Sequence, residues 1–466
     1  MRKTVMMLAT AFTALAGTPA LAQITPAIPE GTPPAATPNA PVTFDVAAAK
    51  ARIQASLDKQ YPHLDALYKD LHQHPELGFQ ETRTAGLLAA EMRKLGFTVT
   101  EGVGKTGLVA ILKNGEGPTV LVRTELDALP MEEKTGLPYA SRAQQQKDGK
   151  TFFVDHACGH DSHMAWWVGA AAALVAIKDQ WHGTLMFVGQ PSEETVSGAK
   201  AMIADGLFKR WPKPDYGFAA HVGPMPLGQV IVKDGVVTSA SDKILITFNG
   251  VGAHGSMPDK SIDPIVIGSH FVTDVQSVIS REKDPNAFGV VTVGAFNGGT
   301  VDNIIPDHAD LMLTLRSHDN ATRKLLIDGV ERTARAAAAM ARAPEPAITH
   351  PSGTNAVHND AALSARTAAV MAAAFGKDAA YVPPTLPGGN ASEDFSVFID
   401  EGVPSVFFAV GGYDPAMIAR YKAEGKPLPV NHSPFFAPVP EPTIKRGAET
   451  LALAVLTVAG NGAKGK

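Results

Sequence analysis

Thr184-Leu185-Met186-Phe187-Val188-Gly189-Gln190-Pro191-Ser192-Glu193-Glu194 is an apolar run that stops at Gly189 and passes at once into a polar turn carrying two adjacent carboxylates. An apolar run of this length bounded by Gly and Pro predicts a strand. A helical pattern over 197–208 and a second apolar strand over 216–222 follow it. Helices alternating with apolar strands make an α/β fold, with helices on both faces of a mostly parallel sheet. Loops at the C-terminal ends of such strands place functional groups in an open α/β sheet. Two neighbouring carboxylates alone are an ordinary solvated turn; after an apolar strand, and with the His and Cys cluster over 156–163 upstream, Glu193 and Glu194 become candidates for a base and a ligand.

Working outward, helices are expected over 45–71 and 81–95, the second closed by Gly96 at its C-cap position. Strands over 97–100, 108–112 and 120–123 and a helix running through 173 lead into the quoted stretch. After residue 239 the pattern changes. Strands over 243–249, 289–296 and 309–317, with helices over 262–280 and 320–341, describe a small α+β sandwich. A helix over 360–375, a strand over 405–410 and a last helix over 441–458 resume the α/β style. The expected organisation is thus a catalytic domain over 44–239 and 351–466, interrupted by an inserted domain over 240–350. The total of 466 residues is too long for one compact core and agrees with two domains.

The first residues carry an address. Arg2 and Lys3 precede an apolar stretch over 5–16, and Ala20-Leu21-Ala22 has the small residues of a cleavage site, so 1–22 reads as a secretory signal and the mature protein as periplasmic. Twelve apolar residues are too few for a membrane span, which needs about 18 or more. Residues 23–43 are rich in Pro and Ala and read as a linker. The apolar stretch over 164–177 is broken by Gly169 and fits a buried helix, so no membrane span is expected. Lys and Arg number 41 against 46 for Asp and Glu, a net charge of −5 with no basic arm, which gives nucleic-acid binding no electrostatic support. A composition of 45% hydrophobic and 19% charged residues is that of a globular chain. The single cysteine, Cys158, excludes an intramolecular disulfide and implies a thiol that is held, for instance by a metal.

Chemistry concentrates in His156-Ala157-Cys158-Gly159-His160-Asp161-Ser162-His163, a dense set of thiolate, imidazole and carboxylate at a strand-to-helix junction. These are the ligand types of zinc and its transition-metal neighbours. His221 ends an apolar strand and His432 lies in a polar loop before the last helix; each is weak alone, and the set is what points to a metal. Two Gly-x-Gly-x-x-Gly matches fail on context. Gly102, Gly104 and Gly107 run into a strand, and Met257-Pro258-Asp259 separates Gly255 from any helix. Neither a nucleophile elbow nor an H-E-x-x-H helix is present.

Taken in order, Asp70-Leu71-His72-Gln73-His74-Pro75-Glu76-Leu77, Arg123-Thr124-Glu125-Leu126-Asp127-Ala128-Leu129-Pro130-Met131, the Cys158 cluster, Glu193-Glu194, Gly252-Ala253-His254-Gly255-Ser256, Ala391-Ser392-Glu393-Asp394-Phe395 and Asn431-His432-Ser433 give a chain that resembles the M20-type metallopeptidases. The likeness is to the amidohydrolase branch of hippurate hydrolases, N-acyl-amino-acid deacylases and auxin-conjugate hydrolases, and it runs from about residue 60 to the end. The resemblance implies two divalent metal ions per subunit (Zn, Mn, Co or Ni), with Cys158 bridging them and His160, Glu194, His221 and His432 completing the shells. It implies Glu193 as general base toward a metal-activated water, and a small-molecule N-acyl amino acid or dipeptide as substrate. The inserted domain would be a lid and dimerisation domain, making a homo-oligomer. In it His254 would stabilise the oxyanion, and Asn303 and Arg316 would contact substrate. Two positions depart from the family pattern: Glu125 stands where Asp is usual, and Ser162 where Gly is. A dipeptidase or carboxypeptidase of the same fold, a non-catalytic periplasmic metal or solute binder, and a Cys158 thiol nucleophile are the competing readings.

Overall fold

The computed structural model describes residues 36–461; the expected signal and most of the linker fall outside them. Eight strands form the main sheet, in the spatial order Thr98–Val103, Gly107–Asn114, Gly183–Gln190, Thr119–Glu125, Tyr216–Pro226, Ser405–Tyr413, Val230–Lys233 and Ala379–Val382. Its four central strands run parallel, and antiparallel pairings bring in the strands toward both edges. Gly183–Gln190 and Tyr216–Pro226 are parallel, as their sequence implies, but Thr119–Glu125 lies between them and pairs with both. The central strands are buried along nearly their whole length because helices cover both faces.

On one face pack Val46–Gln73, His160–Ala176 and Pro440–Ala459. Nearly every residue of His160–Ala176 is buried, with Trp166 and Trp167 inaccessible, as expected for a core helix. Gly447 is needed there, since a Cβ would come within 2.2 Å of the Trp166 ring. The opposite face is covered by Gly198–Ala204, Leu207–Arg210 and Ser396–Asp400 over Met186, Val188 and Phe407. The single helix expected over 197–208 is two, because Gly206 adopts the left-handed φ of +86° and ends the first. Among the described residues no helix is long and apolar enough to cross a membrane.

A second, antiparallel sheet has the order Gly289–Gly298, His308–Ser317, Ala240–Asn249 and Ala347–Thr354. Ala240–Asn249 alternates buried and half-buried residues, the pattern of a sheet covered on one face. The cover is Pro264–Asp274 and Asn320–Met340, packed on Ile244, Phe248, Leu311 and Leu313. The helix expected over 262–280 is shorter. Asp263 caps it, accepting from the Ile265 and Val266 amides with Pro264 as the first residue, and a wide turn over Val278–Glu282 follows Asp274. Strands Val230–Lys233, Ala347–Thr354 and Ala379–Val382 and the helix Pro415–Ala423 lie in stretches to which no element was assigned from sequence.

Candidate active site

The C-terminal ends of the parallel strands converge on Cys158. It precedes Gly159, whose φ of +91° turns the chain into the helix that begins at His160. A Cβ at Gly159 would also meet Val222 Cγ1 at 2.5 Å, so the turn that aims Cys158 and His160 inward depends on glycine. Cys158 Sγ lies 3.4 Å from His221 Nε2. His160 Nε2 lies 3.8 Å from Glu193 Oε2 and 3.9 Å from Glu194 Oε1, and His432 Nε2 lies 3.3 Å from Glu194 Oε2. Of the side-chain groups close enough to hold a metal ion, two share the thiol, Cys158 with His160 and His221, and Cys158 with Glu194 and His432, and a third joins His160 with Glu193 and Glu194.

The tautomers suit ligation. His160 Nδ1 donates to the Asp127 carbonyl at 2.8 Å and His221 Nδ1 donates to the Val222 carbonyl at 2.8 Å, which leaves each Nε2 lone pair facing the thiol side. His160 Nε2 and Glu194 Oε1 are buried without a hydrogen-bond partner. Two ligands at about 2.1–2.3 Å from a tetrahedral ion are roughly 3.5 Å apart, so the separations here are those of atoms that share a cation. The electrostatics ask for one as well. Burial, then Glu393, Glu194 and Asp394, push the Glu193 carboxyl well above its ordinary range, and burial with Glu194 and Glu193 pushes the Cys158 thiol up. Burial would lower His160, yet Asp127 and Glu125 outweigh it and raise it to about 10. A divalent ion would take the place of that proton and stabilise the thiolate.

The residues around this cluster are held by a buried network that the sequence motifs contain but that received no role from them. The Glu193 and Glu194 amides donate to the two carboxylate oxygens of Asp127 at 3.1 and 3.0 Å, fixing the pair's backbone. Arg123, fully buried, donates to Gln190, Glu393 and Asp394 and contacts Glu125. Glu125 accepts from His163 Nδ1 at 2.9 Å and also contacts Arg123, while His163 Nε2 accepts from the Val222 amide. Asn431 Nδ2 bridges the Cys158 and Val222 carbonyls and so sets the loop that carries His432, itself at a left-handed φ of +67°.

His72 forms a second buried device. Its Nδ1 lies 2.6 Å from Asp161 and its Nε2 3.2 Å from Glu133, which ties the first helix to the residue after His160. Burial would lower its pKa, but Asp161 and Glu133 outweigh this and raise it to about 10. A raised pKa stabilises the folded state fully below the ordinary value of 6.5 and progressively less as pH climbs toward 10. His72→Phe is expected to cost about 3–5 kcal/mol at neutral pH, because two buried carboxylates lose their counter-ion. Urea midpoints measured from pH 6 to 10.5 check this; a gap between the two proteins that does not shrink with rising pH would contradict the charged state of His72.

Arg316 lines the same cavity as Glu193, Glu194 and His432, with a buried, unpaired Nη1. His254 and Asn303 are not brought there within one chain. Both are exposed and adjacent to each other, the Gly255 amide donating to the Asn303 carbonyl at 2.8 Å, and His254 faces a separate cavity with Asp307 and His308.

Comparison with known proteins gives the arrangement a context. The model of peptidase family M20/M25/M40 matches residues 121–456. Hippurate hydrolase of Campylobacter jejuni is 42% identical over 259 residues, 55% of this chain and 64% of that protein, so the match spans just under two thirds of its length. N-acetylcysteine deacetylase of Bacillus subtilis is 32% identical over 352 residues, 74% of this chain and 86% of that protein. Among solved structures, the Bacillus subtilis YXEP protein, a dinuclear metal-binding peptidase of family M20, is similar with a TM-score of 0.68 at 26% identity, over 86% of this chain and 99% of that one.

Proposed function

The chain belongs to peptidase family M20/M25/M40, and from that premise we propose that it is a metal-dependent amidohydrolase cleaving the amide bond of N-acyl or N-aminoacyl amino acids. The observation that carries the reading is one thiol, Cys158, shared by two ligand triads with an extra carboxylate, Glu193, beside them. Cys158, His160, His221, Glu194 and His432 would hold two divalent ions. Such ions, when bound, polarise the scissile carbonyl and lower the pKa of water. Glu193 takes the proton of the attacking water and returns it to the leaving amine, while Asp127 keeps the Glu193 backbone in place. Arg316, whose buried Nη1 lines the cavity without a hydrogen-bond partner, suits the substrate carboxylate. For His254 to stabilise the oxyanion, the 240–350 unit must close over the cleft or a second copy must supply the residue. Association through that unit is supported by the edge strand Gly289–Gly298 and the exposed Val266, Phe296 and Met312. The 1–22 pattern supports a periplasmic site of action, which cell fractionation checks.

The test is turnover of hippurate, N-acetyl amino acids and dipeptides with added Mn, Co or Zn. Silence across that panel would overturn the reading and leave a metal binder. Cys158→Ser is expected to lose bound metal together with activity, measured by elemental analysis; an acyl-enzyme trapped by mass spectrometry would instead make the thiol a nucleophile. Its pKa, pushed up by burial and by Glu194 and Glu193, argues against a nucleophilic thiolate formed by the protein alone.

A further inference from the structure

Ser192 and Val196 take left-handed φ values of +50° and +54° on either side of Glu193 and Glu194. Neither is a glycine, and other residues keep that conformation only where the surrounding structure fixes it. Three successive amides do so here. Those of Glu193 and Glu194 donate to Asp127, and that of Ser192 donates to Glu81 Oε1 at 2.7 Å. The two peptide planes that flank Ser192 are thus each pinned by a buried carboxylate, and the rotation between them is its left-handed conformation. Glu81 is inaccessible and lies 111 residues from Ser192 in the chain. It stands at the start of Thr82–Lys94 without capping that helix, and its second oxygen takes the Thr106 hydroxyl instead.

Packing leaves this turn no slack. A Cβ at Gly78 would meet Ser192 Oγ at 2.4 Å, and one at Gly198 would meet the Pro191 carbonyl oxygen at 1.5 Å. Within the turn, Ser192 Oγ lies 2.7 Å from Thr195 Oγ1 and the Val196 amide donates to the Glu193 carbonyl at 2.6 Å. The Ser192 carbonyl accepts from the Gly198 amide at 3.1 Å, which joins the turn to the helix that follows. These bonds shape the turn locally. Its attachment at Ser192 to the segment over 78–81, on the other side of the cleft-forming strands in sequence, is the work of Glu81.

We propose that Glu81 is a positioning residue for the general base: by holding the Ser192 amide it fixes the left-handed turn that carries Glu193. The inference rests on the amidohydrolase reading with Glu193 as base. A displacement of about 1 Å at a reacting group can cost about 10²-fold. Glu81→Met keeps the bulk of the side chain and removes the acceptor. It is expected to lower kcat by about tenfold or more, with KM within about threefold and bound metal unchanged, on the panel substrate that the parent hydrolyses fastest. Glu81→Gln retains an oxygen for the Ser192 amide and is expected to recover most of that loss. In Glu193→Gln the base is already gone, so adding Glu81→Met is expected to cost less than about threefold more, because residues that act as a unit are not additive. A kcat for Glu81→Met within about threefold of the parent overturns the positioning role. So does loss of metal, a full further loss in the Glu193→Gln background, or glutamine as damaging as methionine; each leaves the amidohydrolase standing. Should Glu81→Met not fold, Thr106→Val, which frees the other oxygen, is expected to lower kcat by about threefold at unchanged KM, and an unchanged kcat there overturns the role equally. Absence of turnover by the parent across the panel removes the amidohydrolase reading, and this inference with it.

Discussion

Glu193→Gln is expected to keep its full complement of bound metal and to lose about 10²–10⁴-fold in turnover, the usual worth of general acid-base catalysis. Glu193 belongs to neither triad that shares Cys158, while its neighbour Glu194 sits against His432; Glu193 does lie with His160 and Glu194 in a third possible ligand group, and the two effects separate if the Cys158 triads are the ones that hold the ions. Glutamine preserves the shape and the Asp127 contact to the backbone amide, so only the proton acceptor is removed. Elemental analysis and steady-state rates on the same preparation decide it: a rate within about tenfold of the parent means that another group is the base, and loss of metal means that Glu193 is a ligand.

Removing Arg123 is expected to destabilise the fold by about as much as removing His72, about 3–5 kcal/mol. Its guanidinium is inaccessible and lies among Glu125, Glu393 and Asp394, which outweigh the lowering effect of burial and hold its pKa above the ordinary value. Arg123→Met keeps the bulk of the side chain and deletes the charge, leaving three carboxylates buried without a counter-ion, a change that typically costs about 3–5 kcal/mol. Arg123→Lys is expected to rescue only partly, since a single ammonium cannot reproduce the planar fork that serves Gln190, Glu393 and Asp394 together. Chemical denaturation of the three proteins tests both statements. A midpoint for Arg123→Met close to that of the parent would show that the carboxylates protonate cheaply and that the network is not what holds the strand ends together.

Much of this was legible along the chain. The apolar run over 184–189 is a buried strand because a strand covered on both faces must be apolar throughout. The ligand candidates Cys158, His160, Glu194, His221 and His432 were visible as residue types at strand ends and in loops, and the tertiary structure brings all five together. What escaped was of two kinds. Short strands such as Val230–Lys233 and Ala379–Val382 carry little periodicity of their own and exist because neighbours offer them backbone partners. The positioning residues Arg123, Asp127, Glu393 and Asp394 stood in recognised motifs, but their work is done across separations of up to 271 residues.

Local pattern and chemical type thus pointed, from the sequence alone, to the α/β class with an additional α+β unit and to a pool of His, Cys and acidic ligand candidates. Only the tertiary structure decided which strand lies beside which, that one thiol serves two triads, and that His254 stays outside the cleft of its own chain while an apolar segment near residues 421–435 lines it. Propensity and periodicity act over one element, whereas adjacency, burial and shared counter-charge are set by packing between elements distant in sequence.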